Sequence, residues 1–210
     1  MTFDRAFWHD HWRDADVSKA MSTAPVNPYV LQEASARPES AVAAPSALEV
    51  GCGTGNEALA LAQAGWTVTA LDTSADALRV AAERAEVRGL TDWITWVEAD
   101  VTSWSPESAY DLVTCSYVHT LLPPPELLRR LAGWVAPGGA LLMVGHAPGQ
   151  HSHDDHGHPP AEATDQLEDL KATLTSSEWA VRTVKTSRTA PLADGQQKTL
   201  HDVVLRAERR

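Results

Sequence analysis

The sequence has few cysteines, no long apolar segment and a shortage of basic residues. Its 210 residues include only two cysteines, too few for the disulfide framework of a small secreted protein. No apolar run approaches the ~18 residues of a membrane-spanning helix, and the opening MTFDRAFWHDHWRD lacks the apolar centre of a secretory signal. These features predict a cytoplasmic protein without a membrane partner, in which Cys52 and Cys115 are reduced core residues.

The charge balance is acidic, since 17 Lys and Arg face 28 Asp and Glu and the formal net charge is -11. An acidic surface repels the phosphate backbone of nucleic acids and anionic lipid headgroups. With 43% hydrophobic residues the chain can bury one sizeable core, and its length predicts a single domain over residues 1–210. The composition therefore favours a small-molecule partner over nucleic acid, and it leaves the oligomeric state open.

Strand-like and helix-like segments alternate through the middle of the chain. The segments that end at Gly65 and Gly89 have the apolar spacing of helices, and Ser74 is the predicted N-cap of the second. Three prolines at 123–125 open a further helix through Trp134, and a Pro-Gly-Gly turn then leads into a fifth strand. Four earlier segments are predicted strands, the last two buried on both faces and parallel: 46–51, 67–72, 93–100 and 110–118.

The C-terminal part begins with a segment of His, Gly and Pro at 146–160. Leu167, Leu170 and Leu174 follow it at helical spacing. The segments WAVRTVKTSR and KTLHDVVLRAE, separated by a turn that contains Asp194-Gly195, predict an antiparallel hairpin. The whole order predicts an α/β fold, a Rossmann-like open seven-stranded sheet, mostly parallel with an antiparallel terminal hairpin and helices on both faces.

The segment LEVGCGTGN at 48–56 places three glycines at alternate positions between the first strand and the first helix. A loop there lies at the crevice where open α/β sheets bind ligands. The dinucleotide fingerprint G-x-G-x-x-G needs a glycine at position 56, so Asn56 argues against a nicotinamide-dependent oxidoreductase. The spacing G-x-G-x-G, with Glu49 before it and Asp72 at the end of the second strand, resembles the class I S-adenosylmethionine (SAM)-dependent methyltransferases.

This resemblance extends over residues 46–146 and implies a SAM site. A carboxylate at Asp72 can accept hydrogen bonds from ribose hydroxyls, and Asp100 is placed to accept from the adenine amino group. Glu49 either meets the ammonium group of the cofactor or orients the loop amides. Taken singly, the glycines could mark ordinary turns and Asp72 could cap a helix. The cofactor residues that the resemblance implies are Glu49, Gly51, Gly53, Gly55, Asp72, Thr73, Asp100, Val101 and Ser116.

Methyl transfer from a sulfonium is an in-line displacement, so an enzyme mainly aligns the acceptor and excludes water. A general base helps when the acceptor carries a proton. His119 follows the fourth strand, the edge from which catalytic residues of this superfamily project, and is the first candidate. His146, at the end of the fifth strand, is the second, and Tyr117 lines or fills the acceptor pocket. The alternative for either histidine is a hydrogen-bonded structural role.

The stretch HAPGQHSHDDHGHPP is rich in ligand types that suit zinc, nickel or iron. Its spacing matches no structural zinc motif. The stretch predicts a divalent metal site, a flexible lid beside the pocket, or both. The predicted metal ligands are His151, His153, His156 and His158.

Residues 1–40 are predicted to form a helical lid on an α/β core at 41–210. Three segments are similar to thiopurine S-methyltransferases and tellurite-resistance methyltransferases: Phe7-Trp8, Trp12-Arg13 and Val26-Asn27-Pro28-Tyr29. In those families this part of the chain folds over the cofactor and acceptor, and the acceptors are small soft nucleophiles. The resemblance implies methyl transfer to sulfur or another chalcogen. Oxygen and nitrogen acceptors, an ordinary packing arm, and a non-catalytic cofactor- or metal-binding protein of the same fold are the alternatives.

Overall fold

The computed structural model describes residues 5–36, 44–147, 169–191 and 197–210. The chain begins with three short helices, α1 (Arg5–Arg13), α2 (Ala15–Thr23) and α3 (Pro28–Ser35), which together form the arm, residues 5–36. Asp14 caps α2 because its side chain accepts from the amides of Asp16 and Val17. Asn27 caps α3 in the same way, with Pro28 in the first turn.

Strands and helices alternate after the arm. Short 3-10 turns at Thr91–Trp93 and Asp169–Thr173 precede the third and sixth strands. The elements are β1 (Ser46–Val50), α4 (Asn56–Gln63), β2 (Thr67–Asp72), α5 (Ala75–Val87), β3 (Ile94–Glu98), β4 (Tyr110–Ser116), α6 (Pro124–Ala132), β5 (Val135–His146), β6 (Trp179–Pro191) and β7 (Gln197–Arg209).

The strands form one sheet in the order β3-β2-β1-β4-β5-β7-β6. β1 to β5 are parallel to one another, and β7 pairs antiparallel with both β5 and β6. The predicted seven-stranded, mostly parallel sheet with a terminal hairpin is confirmed. The strand order changes direction between β1 and β4, because β2 and β3 lie on one side of β1 whereas β4 and β5 lie on the other. The ends of β1 and β4 therefore flank the crevice in which such folds bind ligands.

Successive strand residues point to opposite faces of the sheet, and both faces are covered. Leu48 and Leu141 belong to a core that includes α6, whereas Ala47 and Leu142 belong to a second core with α3, α4 and α5. Leu48 and Leu141 are both 0% exposed. The predicted arrangement of helices on both faces is therefore confirmed.

The sequence-based assignment is wrong for the burial of β3 and for the end of α6. β3 is not buried on both faces, since Thr95 and Glu98 are exposed, because the strand lies at the edge of the sheet and pairs only with β2. Trp134 is not part of α6, which ends at Ala132, and the next strand begins already at Val135, before the Pro-Gly-Gly turn.

Other predicted features fall partly outside the described residues. The histidine-rich segment from 148 onward, Leu167 and the Asp194-Gly195 turn lie there. Leu170 is in the 3-10 turn Asp169–Thr173 rather than in an α-helix. Over the described ranges, no helix combines the length and the apolar character that a membrane crossing requires.

Candidate functional site

The glycine loop follows β1 and closes onto the end of β2. The amides of Gly51 and Cys52 both donate to the carbonyl of Leu71, at 2.8 and 3.0 Å. The amide of Gly53 donates to Oδ2 of Asp72 at 2.8 Å. Gly53 has φ +49° and Gly51 has φ +70°, a left-handed backbone that residues with a Cβ adopt at a cost. The glycines are therefore required by the loop conformation.

Asp72 holds this loop through a buried carboxylate. Besides the Gly53 amide, it accepts from the amide of Ser74 at 2.9 Å, and it is 8% exposed. Burial raises its pKa, although the backbone hydrogen bonds act in the opposite direction. The N-cap of α5 is Ser74, whose Oγ accepts from Ala77. A carboxylate has about four lone-pair sites, so Asp72 can still accept from ribose hydroxyls.

A pair of carboxyl groups, Glu49 and Glu57, also lies beside the loop. Glu49 is 1% exposed and accepts from Oγ1 of Thr114, its register partner on β4. Burial, together with the charge of Glu57, raises the pKa of Glu49 to about 8. Glu57 accepts from the amide of Asn27 at 3.0 Å, and burial raises its pKa as well. Glu49 is thus mainly protonated at neutral pH.

Asp100 begins a turn beside the end of β2. The amide of Ala99 donates to the carbonyl of Asp72 at 3.0 Å, and Oδ1 of Asp100 accepts from Thr102 at 2.8 Å. Val101 is buried, and its carbonyl accepts from Nε of Arg130 at 2.6 Å. The two predicted acidic residues therefore lie at adjacent strand ends. The other two predicted cofactor residues also lie at strand ends, Thr73 after β2 and Ser116 as the last residue of β4.

Aromatic residues of the arm cross this edge of the sheet. A Cβ placed on Gly53 would lie 2.9 Å from the ring of Trp12, so the indole packs on bare backbone. Nε1 of Trp8 donates to the carbonyl of His119 at 3.3 Å, and the two rings stack at 6.4 Å between centroids. A Cβ on Gly51 would overlap Val118. His119 is therefore covered by the arm.

Two polar side chains tie the arm to the loop. Arg84 on α5 donates to the carbonyls of Thr54 and Ser22 and to Oδ1 of Asn56. Asn56 in turn donates to the carbonyl of Met21 at 2.7 Å. The residue that breaks the dinucleotide fingerprint thus has a structural role, because it joins α2 to the start of α4.

On the β4–β7 side, five polar or aromatic residues form a group that we call the polar cluster: Tyr29, Tyr117, His146, Arg188 and Asp202. Oδ1 of Asp202 accepts from the Tyr117 hydroxyl at 2.8 Å. Its Oδ2 accepts from the Tyr29 hydroxyl at 3.2 Å and from Nε of Arg188 at 2.8 Å. Nη2 of Arg188 donates to the Tyr117 oxygen at 2.9 Å. The rings of Tyr117 and His146 stack with centroids 4.4 Å apart.

Tyr117 has an uncommon backbone, with φ +56°, and its amide donates to the carbonyl of Val144 at 2.8 Å. Burial raises the pKa of its phenol, with Arg188 opposing and Asp202 adding to the shift. The hydroxyl therefore stays protonated at neutral pH and acts as a donor to Asp202.

The structure brings the predicted cofactor residues to one edge and separates the two candidate bases. His119 packs against Trp8, whereas His146 stacks on Tyr117. Within the part of the chain that the structure describes, no three His, Cys, Asp or Glu side chains are grouped so that they could hold a metal. The two cysteines are buried free thiols. The predicted ligands His151, His153, His156 and His158 lie outside the described residues.

Sequence reasoning missed three residues of this region, Glu57, Arg188 and Asp202. Glu57 has no local signal that separates it from ordinary helix residues, and Tyr29 was named only as part of the Val26-Asn27-Pro28-Tyr29 resemblance. Arg188 and Asp202 are charged residues inside two predicted strands, and Asp202 is 0% exposed. Both strands carry several other charged residues, so no signal in the sequence singles out Arg188 or Asp202.

Comparison with known proteins places a methyltransferase domain over residues 47–139. An uncharacterized methyltransferase of Mycobacterium tuberculosis is 38% identical over 99 residues, 46% of this chain and 48% of that one. A ubiquinone biosynthesis O-methyltransferase of Vibrio parahaemolyticus is 35% identical over 46% of this chain and 41% of its own. A trans-aconitate 2-methyltransferase of an Azoarcus species is 34% identical over 48% and 38%. The chain spans less than half the length of these relatives.

Solved structures share the fold over most of the chain. A protein studied for the conversion of a disulfide bond into a thioacetal group during echinomycin biosynthesis has a TM-score of 0.64, with 23% identity over 89% of this chain and 82% of that one. TehB from Haemophilus influenzae has a TM-score of 0.66, with 19% identity over 92% and 65%. SAM-bound magnesium protoporphyrin IX methyltransferase from Synechocystis has a TM-score of 0.67, with 16% identity over 100% and 99%. Residues 47–139 therefore match a methyltransferase domain, and most of the chain shares the fold of these solved structures.

Proposed function

We propose that this protein transfers the methyl group of SAM to a small molecule, at sulfur or another chalcogen. The observation that carries the proposal is the joint placement of the glycine loop, Asp72 and Asp100 at the ends of β1, β2 and β3, inside the segment that matches a methyltransferase domain. When bound there, SAM would supply a methyl group activated by its positively charged sulfur. The protein has to bind the cofactor, orient the methyl acceptor and exclude water.

The residues present fit this cofactor. Glu49, Glu57 and Asp72 place three carboxyl groups around the loop; Glu49 and Asp72 are buried and Glu57 is half-buried. A bound ligand with a sulfonium and an ammonium group would bring positive charge beside them, which favours the ionised carboxylates and is stabilised by them in turn. Asp72 would hold the ribose and Asp100 the adenine amino group. Gly53 has no side chain on the side that Trp12 covers. A flat ligand group that takes the place of the indole can therefore approach the backbone there.

The acceptor side is built from rings. Trp8 stacks on His119 at this edge of the sheet, and Tyr117 stacks on His146. Aromatic walls favour polarizable acceptors, because sulfur makes attractive contacts with ring edges. The structural neighbour studied for the conversion of a disulfide bond into a thioacetal group supports the same class of acceptor. His119 would take the proton of a thiol, and His146 is the second candidate.

An oxygen acceptor is the second candidate function. One of the relatives is named as a ubiquinone biosynthesis O-methyltransferase. A hydroxyl acceptor needs a general base more than a thiol does, since its proton is less acidic. The two histidines at the acceptor edge are compatible with that need.

An assay of S-adenosylhomocysteine release distinguishes these functions. The purified protein is given SAM with thiophenol, selenite, tellurite, catechol or aniline, each with and without EDTA. We expect release with thiophenol, selenite or tellurite. Release with catechol alone would replace the chalcogen proposal by the oxygen one. A loss with EDTA that zinc restores would support the metal site at His151, His153, His156 and His158, and equal rates would exclude a metal requirement.

Binding and turnover are then separated by one variant. His119→Ala should lower kcat by about tenfold or more, with an unchanged SAM Kd in calorimetry, because a base acts on the acceptor and not on the cofactor. Equal turnover would remove His119 from the mechanism. A parent protein that binds neither SAM nor S-adenosylhomocysteine would refute the proposed function as a whole.

A further inference from the structure

Tyr117 is held in a backbone conformation that a tyrosine rarely adopts. Its φ of +56° makes it the one non-glycine residue with positive φ among those described. Such conformations persist only when the surrounding contacts fix them, and they concentrate at functional sites. The question is which contacts fix Tyr117.

The contacts come mainly from the C-terminal hairpin. Asp202 on β7 accepts from the Tyr117 hydroxyl at 2.8 Å, and Arg188 on β6 donates to the same oxygen at 2.9 Å. The Arg188 guanidinium also lies 5.9 Å from the centre of the Tyr117 ring. On its other side the ring stacks on His146, at an interplanar angle of 25°. Three strands thus fix one side chain.

Asp202 is the shared partner in this network. It is fully buried, and its carboxylate accepts from Tyr29 of α3, from Tyr117 directly after β4 and from Arg188 of β6. It is also the register partner of His146 in the antiparallel pairing of β7 with β5. A change at Asp202 would therefore affect both rings of the stack, and it would leave the Arg188 charge without its carboxylate.

We propose that Asp202 is a positioning residue, through which the C-terminal hairpin holds the stacked Tyr117 and His146 rings as the wall that faces the methyl acceptor. The inference rests on the proposed function. It extends the acceptor site to β6 and β7, outside the segment 47–139 that matches the methyltransferase domain.

The position of the cluster supports a role in the site beyond packing. Tyr117 directly follows β4 and His146 ends β5, so both rings lie at the same edge of the sheet as the glycine loop. Both are half-buried. Asn27, whose amide bonds to Glu57 beside the loop, also reaches Ser116 at 3.4 Å. The polar cluster therefore adjoins the predicted cofactor residues.

An ion pair joins β7 to α3, the two elements that the Tyr29–Asp202 hydrogen bond also joins, and it supplies a matched control. Arg206 on β7 donates to Glu33 on α3 at 2.5 and 3.1 Å. Arg206 pairs with Leu142 in the β5–β7 register, four positions away from the Asp202 pair. Glu33→Gln weakens the contact between hairpin and arm without touching Tyr117. The effect of Glu33→Gln therefore shows what a weaker contact between hairpin and arm does by itself.

The test compares Asp202→Asn, Tyr117→Phe and Glu33→Gln with the parent by NMR of protein labelled in its Tyr, Phe and His rings. We expect nuclear Overhauser contacts between the rings at positions 117 and 146 in the parent and in Glu33→Gln, and their loss in Asp202→Asn. With S-adenosylhomocysteine present, thiophenol and catechol serve as probe acceptors. At least one of them should shift both ring signals of the parent.

Kinetics separate positioning from folding. Asp202→Asn and Tyr117→Phe should raise the acceptor KM about tenfold, while SAM Kd stays within about twofold and Glu33→Gln matches the parent. Tyr117→Phe keeps the Arg188–Asp202 pair, so it decides the matter if Asp202→Asn does not fold. Ring contacts and KM unchanged in both cluster variants would overturn the proposal. The proposal would also be overturned if neither thiophenol nor catechol shifted the ring signals of Tyr117 and His146 in the parent. Failure of the parent to bind SAM would instead refute the proposed function.

Discussion

Replacing Glu49 by Gln should change how the stability of the protein depends on pH. Glu49 is buried in β1, and its pKa is raised from 4.5 to about 8, first by burial and then by the charge of Glu57. Gln has nearly the shape of the protonated acid and cannot ionise. The variant therefore retains the protonated form of the side chain at every pH.

The sign follows from proton binding. Between pH 4.5 and about 8 the folded protein keeps a proton on Glu49 that the unfolded chain has lost. The stabilisation is fully present below pH 4.5, and it is lost as the pH rises through about 8. The slope is at most roughly 1.4 kcal/mol per pH unit. We expect a loss of about 2 kcal/mol from pH ~5 to pH ~8, because Glu57 takes up part of the proton binding.

Urea unfolding of the parent and of Glu49→Gln at several pH values across this window measures the difference directly. The two proteins should be nearly equal at the acid end, and the variant should be more stable by about 2 kcal/mol at the alkaline end. Glu107→Gln, a change at an exposed carboxylate, is the control and should leave the parent slope unchanged. Parallel curves for the parent and Glu49→Gln would refute the assignment of the proton to Glu49.

Three further changes test the loop and the arm. Asp72→Asn places an amide group opposite the Gly53 amide, so SAM affinity measured by calorimetry should fall about tenfold or more; an unchanged Kd would exclude the ribose role. Gly53→Ala and Gly89→Ala both put a Cβ on left-handed backbone, but only the first meets Trp12, so it should lower the urea unfolding free energy by about 1 kcal/mol more. Equal losses would contradict this packing. Arg84→Gln removes the hydrogen bonds to the Ser22 carbonyl of the arm and the Thr54 carbonyl of the loop, so limited proteolysis of the arm should accelerate several-fold; an unchanged rate would contradict the tie.

Local patterns were sufficient to predict most elements of the sheet. The limits of β2 and the capping of α5 by Ser74 agree with the prediction, because apolar period and capping residues act over a few neighbours. The burial of β3 was mispredicted, since an edge strand and an inner strand can have the same apolar content. Which strand lies at the edge is decided by the strand order.

The candidate site divides in the same way. The glycine loop and Asp72 are 19 residues apart and could be predicted together, because they belong to one strand–loop–helix–strand unit. Tyr117 and Asp202 are 85 residues apart, and no local pattern relates them. The same holds for the arm, whose Trp8 meets His119 across 111 residues.

The sequence alone determined the alternation of strands and helices, the glycine loop and the acidic residues at the ends of β2 and β3, because each depends on neighbours in the chain. The tertiary structure alone decided that β7 lies beside β5, that Asp202 thereby faces His146, and that the arm covers His119. The physical reason is that a buried charge is stable only where folding brings it donors, and those donors come from distant segments.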